Sequence, residues 1–155
     1  MKKIYKYSFV CIFIWAGFVL AISFMEAPLK FLAPSVTTEI GVEIGRIIFG
    51  ALNKVELVFS LILLLQIKRI KKADQKLFLA VVALLTIMAV QSVYLLPVLD
   101  RYAEMVINGG ISPSNTEHFM YVILEILKVF TLFYIGYKQI LQYKKQIINT
   151  IPPVI

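Results

Sequence analysis

LFLAVVALLTIMAVQSVYLLPVL, residues 77–99, is a run of 23 residues without a charge. A helix rises about 1.5 Å per residue, so such a run crosses the roughly 30 Å of hydrocarbon in a bilayer. Three more segments of the same kind surround it, and the spans fall at about 7–27, 44–67, 77–99 and 119–139. The first, Tyr7 to Met25, is uncharged and follows Lys2, Lys3 and Lys6. It exceeds the roughly 7–15 apolar residues of a signal-peptide core, so it reads as a span despite Ala21 and Ser23 near a conceivable cleavage point.

Composition agrees. Of 155 residues 60% are hydrophobic and 16% charged, and the mean hydropathy is +0.85. A soluble domain is about 45–50% apolar and about 25% charged, so lipid is the solvent for much of this chain. Four spans with short connections use the length, leaving one domain, residues 1–155. The expected architecture is all-α: a polytopic four-transmembrane-helix bundle. Pro97 comes where it can end the third helix, and Asn108-Gly-Gly-Ile-Ser-Pro113 reads as a turn-rich loop.

The net charge of +7 does not point to nucleic acid, because the basic residues stand beside apolar spans. Lys2, Lys3 and Lys6, then Lys68, Arg69, Lys71, Lys72 and Lys76, then Lys138, Lys144 and Lys145 all fall on one side of the zigzag. The opposite connections hold Glu26, Glu39, Glu43, Asp100, Glu104 and Glu117, with Lys30, Arg46 and Arg101 at helix borders. Lysine and arginine stay inside, which predicts a cell-membrane protein with both termini cytoplasmic. The single cysteine, Cys11, has no partner for a disulfide and lies in the first span, as a small packing or lipid-facing residue.

Charges within spans point to function, since each costs roughly 2.5–3.5 kcal/mol to insert even on lenient scales. In the second span Glu43, Arg46, Gly50, Asn53, Lys54, Glu56 and Ser60 share an arc of about 160°, opposite a wholly apolar face. In the fourth, His118, Tyr121, Glu125 and Lys128 stack within an arc of about 80°. The third offers Gln91 and Tyr94 with Asp100 and Arg101 beyond, and the first ends in the i,i+4 pair Glu26 and Lys30. By depth, Glu56 and Lys128 sit near the middle of the membrane and Arg46 and His118 near the outer surface. These groups predict a polar cavity open to the outside and closing at mid-depth. A purely structural role, with Glu56–Lys128 or Glu125–Lys54 pairs holding the bundle, is the competing reading.

Three functions follow from that cluster. The first is a carrier or channel component for a small polar or ionic solute. Glu56 and Glu125 would bind the solute or carry protons, with Lys128, Lys54 and Arg46 as counter-ions and Asn53, Gln91 and Tyr121 as neutral partners. The second is a membrane-embedded enzyme acting on a lipid or quinone headgroup, with His118 and Glu125 sharing acid–base work. The third is a subunit whose polar seam docks another membrane protein. One histidine and no Cys/His cluster leave no metal or bis-histidine haem site. No nucleotide loop, zinc-protease motif or nucleophile elbow occurs, so no residue is assigned as catalytic and no cofactor is indicated. Trp15, Tyr5 and Tyr7 read as packing or interfacial aromatics, and Gly41 and Gly45 as a GxxxG that permits close helix contact. The bilayer is one partner. Four helices make a narrow bundle, so a solute cavity calls for a homodimer or another membrane partner, between which the sequence does not decide.

Trp15-Ala-Gly17, Ala27-Pro28 and Phe31, then Gln91-Ser-Val-Tyr94-Leu-Leu-Pro97 with Arg101, and His118 opening the last helix resemble a small four-helix membrane family. It has no known function, and human transmembrane protein 205 is its best-known member. The resemblance implies a four-helix bundle without established chemistry and leans towards transport. Val55-Glu56 and Leu57 in a four-span layout are similar to DoxX-like membrane proteins, which implies a redox or quinone-associated role.

Overall fold

The computed structural model describes residues 8–148. Lys2, Lys3, Lys6, Tyr5 and Tyr7, used above for topology and the first span's border, lie outside the described residues. Four helices long and apolar enough to cross a membrane make up the fold: α1 (Ser8–Leu32), α2 (Thr38–Ala73), α3 (Gln75–Ile107) and α4 (Thr116–Ile148).

All four run past the expected spans. The basic stretch Lys68–Lys72 is helical rather than a connection, and α2 and α3 are parted by Asp74 alone. That one residue suffices because its extended backbone turns the chain while its carboxylate accepts from Lys76 N (2.9 Å) and Leu77 N (3.1 Å), capping α3. Thr37 caps α2 by accepting from Ile40 N. The loop expected at Asn108–Pro113 is present, and Gly109 opens it at φ +80°, a conformation that favours glycine.

Pro97 does not end α3. A proline removes one N–H and its ring clashes with the carbonyl four residues back; here that carbonyl belongs to Val93, inside a π-helical stretch, Gln91–Leu95. The wider π turn moves the clashing carbonyl aside, and the helix continues to Ile107. Pro28 repeats the device: it follows the π-helical stretch Leu20–Glu26 in α1.

Around the bundle, α1 packs on α4 and α2, and α3 packs on α2 and α4, so α2 and α4 face each other across a diagonal. The connections α1–α2 and α3–α4 share one end, the loop end. The Asp74 turn, the start of α1 and the close of α4 share the other, the terminal end. The exterior is apolar: Leu65 and Val93 are 80% and 78% exposed, the reverse of a water-facing bundle. Inside, Ile12, Leu63, Val81, Leu84, Leu132 and Ile135 form a buried core. This core fills the terminal half of the bundle.

Candidate functional site

At the boundary of that core the polar faces of α2 and α4 meet. Lys128, with no exposed surface, places its ammonium 2.7 Å from Glu56 Oε1 and 2.7 Å from Glu125 Oε1. The Glu125 contact spans three residues of α4, whereas the Glu56 contact crosses the diagonal and ties α2 to α4. Burying ions is costly unless each is paired and its remaining hydrogen-bonding capacity is used. Here the neighbours supply that. The Trp15 indole donates to Glu56 Oε1 (2.9 Å), the Ser23 hydroxyl to Glu125 Oε2 (2.9 Å), and the Gln91 amide to Glu125 Oε1 (2.9 Å). Ser23 and Gln91 lie in the two π-helical stretches, so the same prolines that widen the helices accompany the polar groups of the site.

Towards the loop end a cavity of about 940 Å³ opens above this cluster. Its size is typical of small-molecule sites. Glu125, Ser23, Ser92 and Tyr121 are among its polar lining, Phe24, Phe31 and Phe49 among its apolar walls; Glu56 and Lys128 lie outside the lining. Asn53 exchanges hydrogen bonds with Ser92 (3.0 and 2.9 Å) and holds that wall. Near the mouth, Arg46 forms a two-pronged contact with Asp100 (2.5 and 3.0 Å) and Lys30 pairs with Glu26 (3.4 Å). The Lys30 ammonium also sits 5.5 Å from the Phe31 ring centre and 5.8 Å from that of Phe49.

Of the residues selected from sequence, Glu56, Glu125, Lys128 and Gln91 form one contiguous cluster. Tyr121, Arg46 and His118 line the cavity, Asn53 supports its wall and Glu26 pairs at its mouth. Lys54 does not join them: it is exposed and makes no ion pair among the described residues, and Glu125 takes Lys128 instead. His118 and Glu125 are seven residues apart, about 10 Å along the helix, and His118 is exposed at the cavity's mouth; the two do not share a proton directly. Tyr94 faces outward, 55% exposed. Gly41 and Gly45 seat the Phe31 ring and the Lys30 ammonium rather than another helix backbone. The cavity's lining comes from this chain's own four helices and the connection between α3 and α4.

Sequence reading missed Trp15, Ser23 and Ser92. Trp15 is fully buried and stacks on Phe59 at 5.7 Å, which agrees with the packing alternative; its hydrogen bond to Glu56 was the part not foreseen. A lone indole deep in an apolar run was the available signal, because a buried indole N–H needs an acceptor. No protein family, curated protein or solved structure matches the chain.

Proposed function

We propose that the protein is a membrane carrier that takes a small solute with an apolar body and a polar end into the cavity between its helices. One observation carries this reading: a cavity of about 940 Å³ whose walls are mostly apolar and whose inner end presents Glu125. Apolar walls suit a hydrophobic body better than a hydrated ion. The buried core beneath the cluster closes the path to the terminal end, as a carrier requires between its two access states and an open channel does not.

Orientation belongs to the same proposal. The Lys68–Lys76 turn lies at the end where α1 begins and α4 closes, and Glu39, Glu43, Glu104 and Glu117 lie at the other. Both termini are then cytoplasmic and the cavity faces outward. Cysteines placed at Ser112 and Lys72 check this: an impermeant maleimide labels the first in intact cells and the second only after lysis.

Gly50 provides the test of binding. It lines the cavity, and a Cβ added there meets nothing within 4 Å. Gly50→Leu therefore extends a side chain from an unobstructed Cβ into the cavity and improves helix propensity by about 1 kcal/mol. Three probes of one shape are measured on protein in nanodiscs: neutral triphenylphosphine oxide, cationic tetraphenylphosphonium and anionic tetraphenylborate. At least one binds the wild type more tightly than Gly50→Leu by about tenfold or more and is moved by the wild type in liposomes. Equal binding of all three by both proteins rejects the cavity as a site.

A further inference from the structure

The charges around the cavity do not balance. Lys30, Arg46 and Lys128 face Glu26, Asp100, Glu56 and Glu125, three cations against four carboxylates. At the mouth Lys30 pairs with Glu26 and Arg46 with Asp100, with Glu43 and Glu104 also near Arg46; in the buried cluster one ammonium serves two carboxylates. An uncompensated charge at this depth costs several kcal/mol. The fully ionised cluster therefore requires one more positive charge, either a proton or a cation from the cavity.

The partners of the two carboxylates say which one accepts it. Glu56 Oε1 receives hydrogen bonds from the Trp15 indole and the Lys128 ammonium, both donors only. They hold a carboxylate, and neither can accept from the O–H of a carboxylic acid. Glu125 Oε1 takes the same Lys128 ammonium, but its other partners, the Ser23 hydroxyl and the Gln91 amide, each accept as readily as they donate once the hydroxyl rotates or the amide flips. Gln91 is 2% exposed, yet its Oε1 has no hydrogen-bond partner among the described residues, so the amide already bound to Glu125 has an acceptor to spare. Access separates the carboxylates too, since Glu125 lines the cavity and Glu56 does not. The other polar groups around Glu125 are Tyr121 and the distant His118 on α4, Glu56 on α2, Asp100 on α3, and Glu26 and Lys30 on α1.

The walls indicate what replaces the proton. Phe31 and Phe49 hold the Lys30 ammonium within cation–π distance, with Phe24 and Tyr121 further along the same cavity. These ring faces and a carboxylate at the inner end suit a cation with an apolar body, and Lys30 occupies the place such a cation would take.

We propose that Glu125 carries one exchangeable proton and that the cavity takes a lipophilic monovalent cation in its place, one for one. This rests on the binding cavity proposed above. The exchange balances: the Glu125 O–H bond breaks, its proton leaves to water in the cavity, the electron pair stays on the carboxylate, and the arriving cation restores the charge. No electron is transferred.

Tetraphenylphosphonium, with triphenylphosphine oxide as neutral control, tests this on the full chain in nanodiscs in weakly buffered solution. About one proton is released per cation bound, cation affinity rises about tenfold per pH unit while the site is protonated, and the neutral probe shows neither effect. Glu125→Gln abolishes the release and the pH dependence. Infrared spectra assign the proton independently of any ligand: the protonated-carboxyl band shifts in Gln91→Leu and stays in place in Trp15→Phe. Cation binding without proton release overturns the exchange. Binding of only the neutral or the anionic probe overturns the ligand class but leaves the cavity as a site, whereas loss of all probe binding removes both. A band that moves in Trp15→Phe and not in Gln91→Leu places the proton on Glu56 and overturns the assignment.

Discussion

Lys128 touches two carboxylates and no solvent, so deleting it and neutralising the whole cluster are different experiments. Lys128→Met leaves the Glu56 charge beside Glu125 without its counter-ion, and breaking a buried pair from one side costs about 3–5 kcal/mol. Adding Glu56→Gln and Glu125→Gln removes the stranded charge and every titratable group of the cluster, and is expected to recover most of that loss. Denaturant titration in mild detergent measures both, and a triple variant no more stable than Lys128→Met contradicts the account. Helical spacing alone selected Glu56, Glu125 and Lys128, because charge in an apolar span is easy to see. It misplaced Lys54 for a geometric reason: Lys54 and Glu56 are about 160° apart around the helix, at opposite edges of one broad polar arc, and only one edge can face the bundle axis. Ser23 and Ser92 were hidden because a serine in a span carries no such signal.

At the scale of the element, helix existence and order were legible from hydropathy, while helix ends and the π-helical stretches were not. Hydropathy reports where lipid begins, but a helix continues into water until a cap or a turn residue stops it, as at Asp74 and Gly109. Asp74 accepts backbone hydrogen bonds, first from Leu77, and a side-chain hydrogen bond from Lys138 Nζ at 3.2 Å. These hold its carboxyl below the ordinary aspartate range. The folded value is the lower one, so the stabilisation is complete above the unfolded value of about 3.9 and is lost as pH falls through the folded value. Asp74→Ala is expected to cost about 0.5–2 kcal/mol from the lost cap. Asp74→Asn should keep the cap and flatten the dependence below pH of about 4. Thermal unfolding of the three proteins across acid pH checks it; an unchanged acid profile in Asp74→Asn assigns that dependence elsewhere.

Across the whole molecule, the bundle is divided by depth into a packed terminal half and a hollow loop-end half, with the charged cluster at the boundary. A cavity at the loop end was foreseeable from the depths of the charged residues, but its mostly apolar walls were not. The walls depend on how Phe31, Phe49 and the wide π turns fill or leave space, which periodicity does not encode.

The ion pair across the diagonal joins residues 72 positions apart. At about 5–20 residues per second of synthesis, Glu56 is made about 4–14 s before Lys128. During that interval the second helix has no ammonium for its carboxylate, although the price of placing that charge alone in hydrocarbon is high. Delayed release follows: the second helix waits beside the insertion machinery, or at the water boundary, until the fourth arrives. A ribosome-stalled chain ending before residue 120 should crosslink from α2 to the insertion machinery, and Glu56→Gln should shorten that stay. Equal crosslinking in both chains would mean that the carboxylate enters lipid protonated, with no need to wait for its partner.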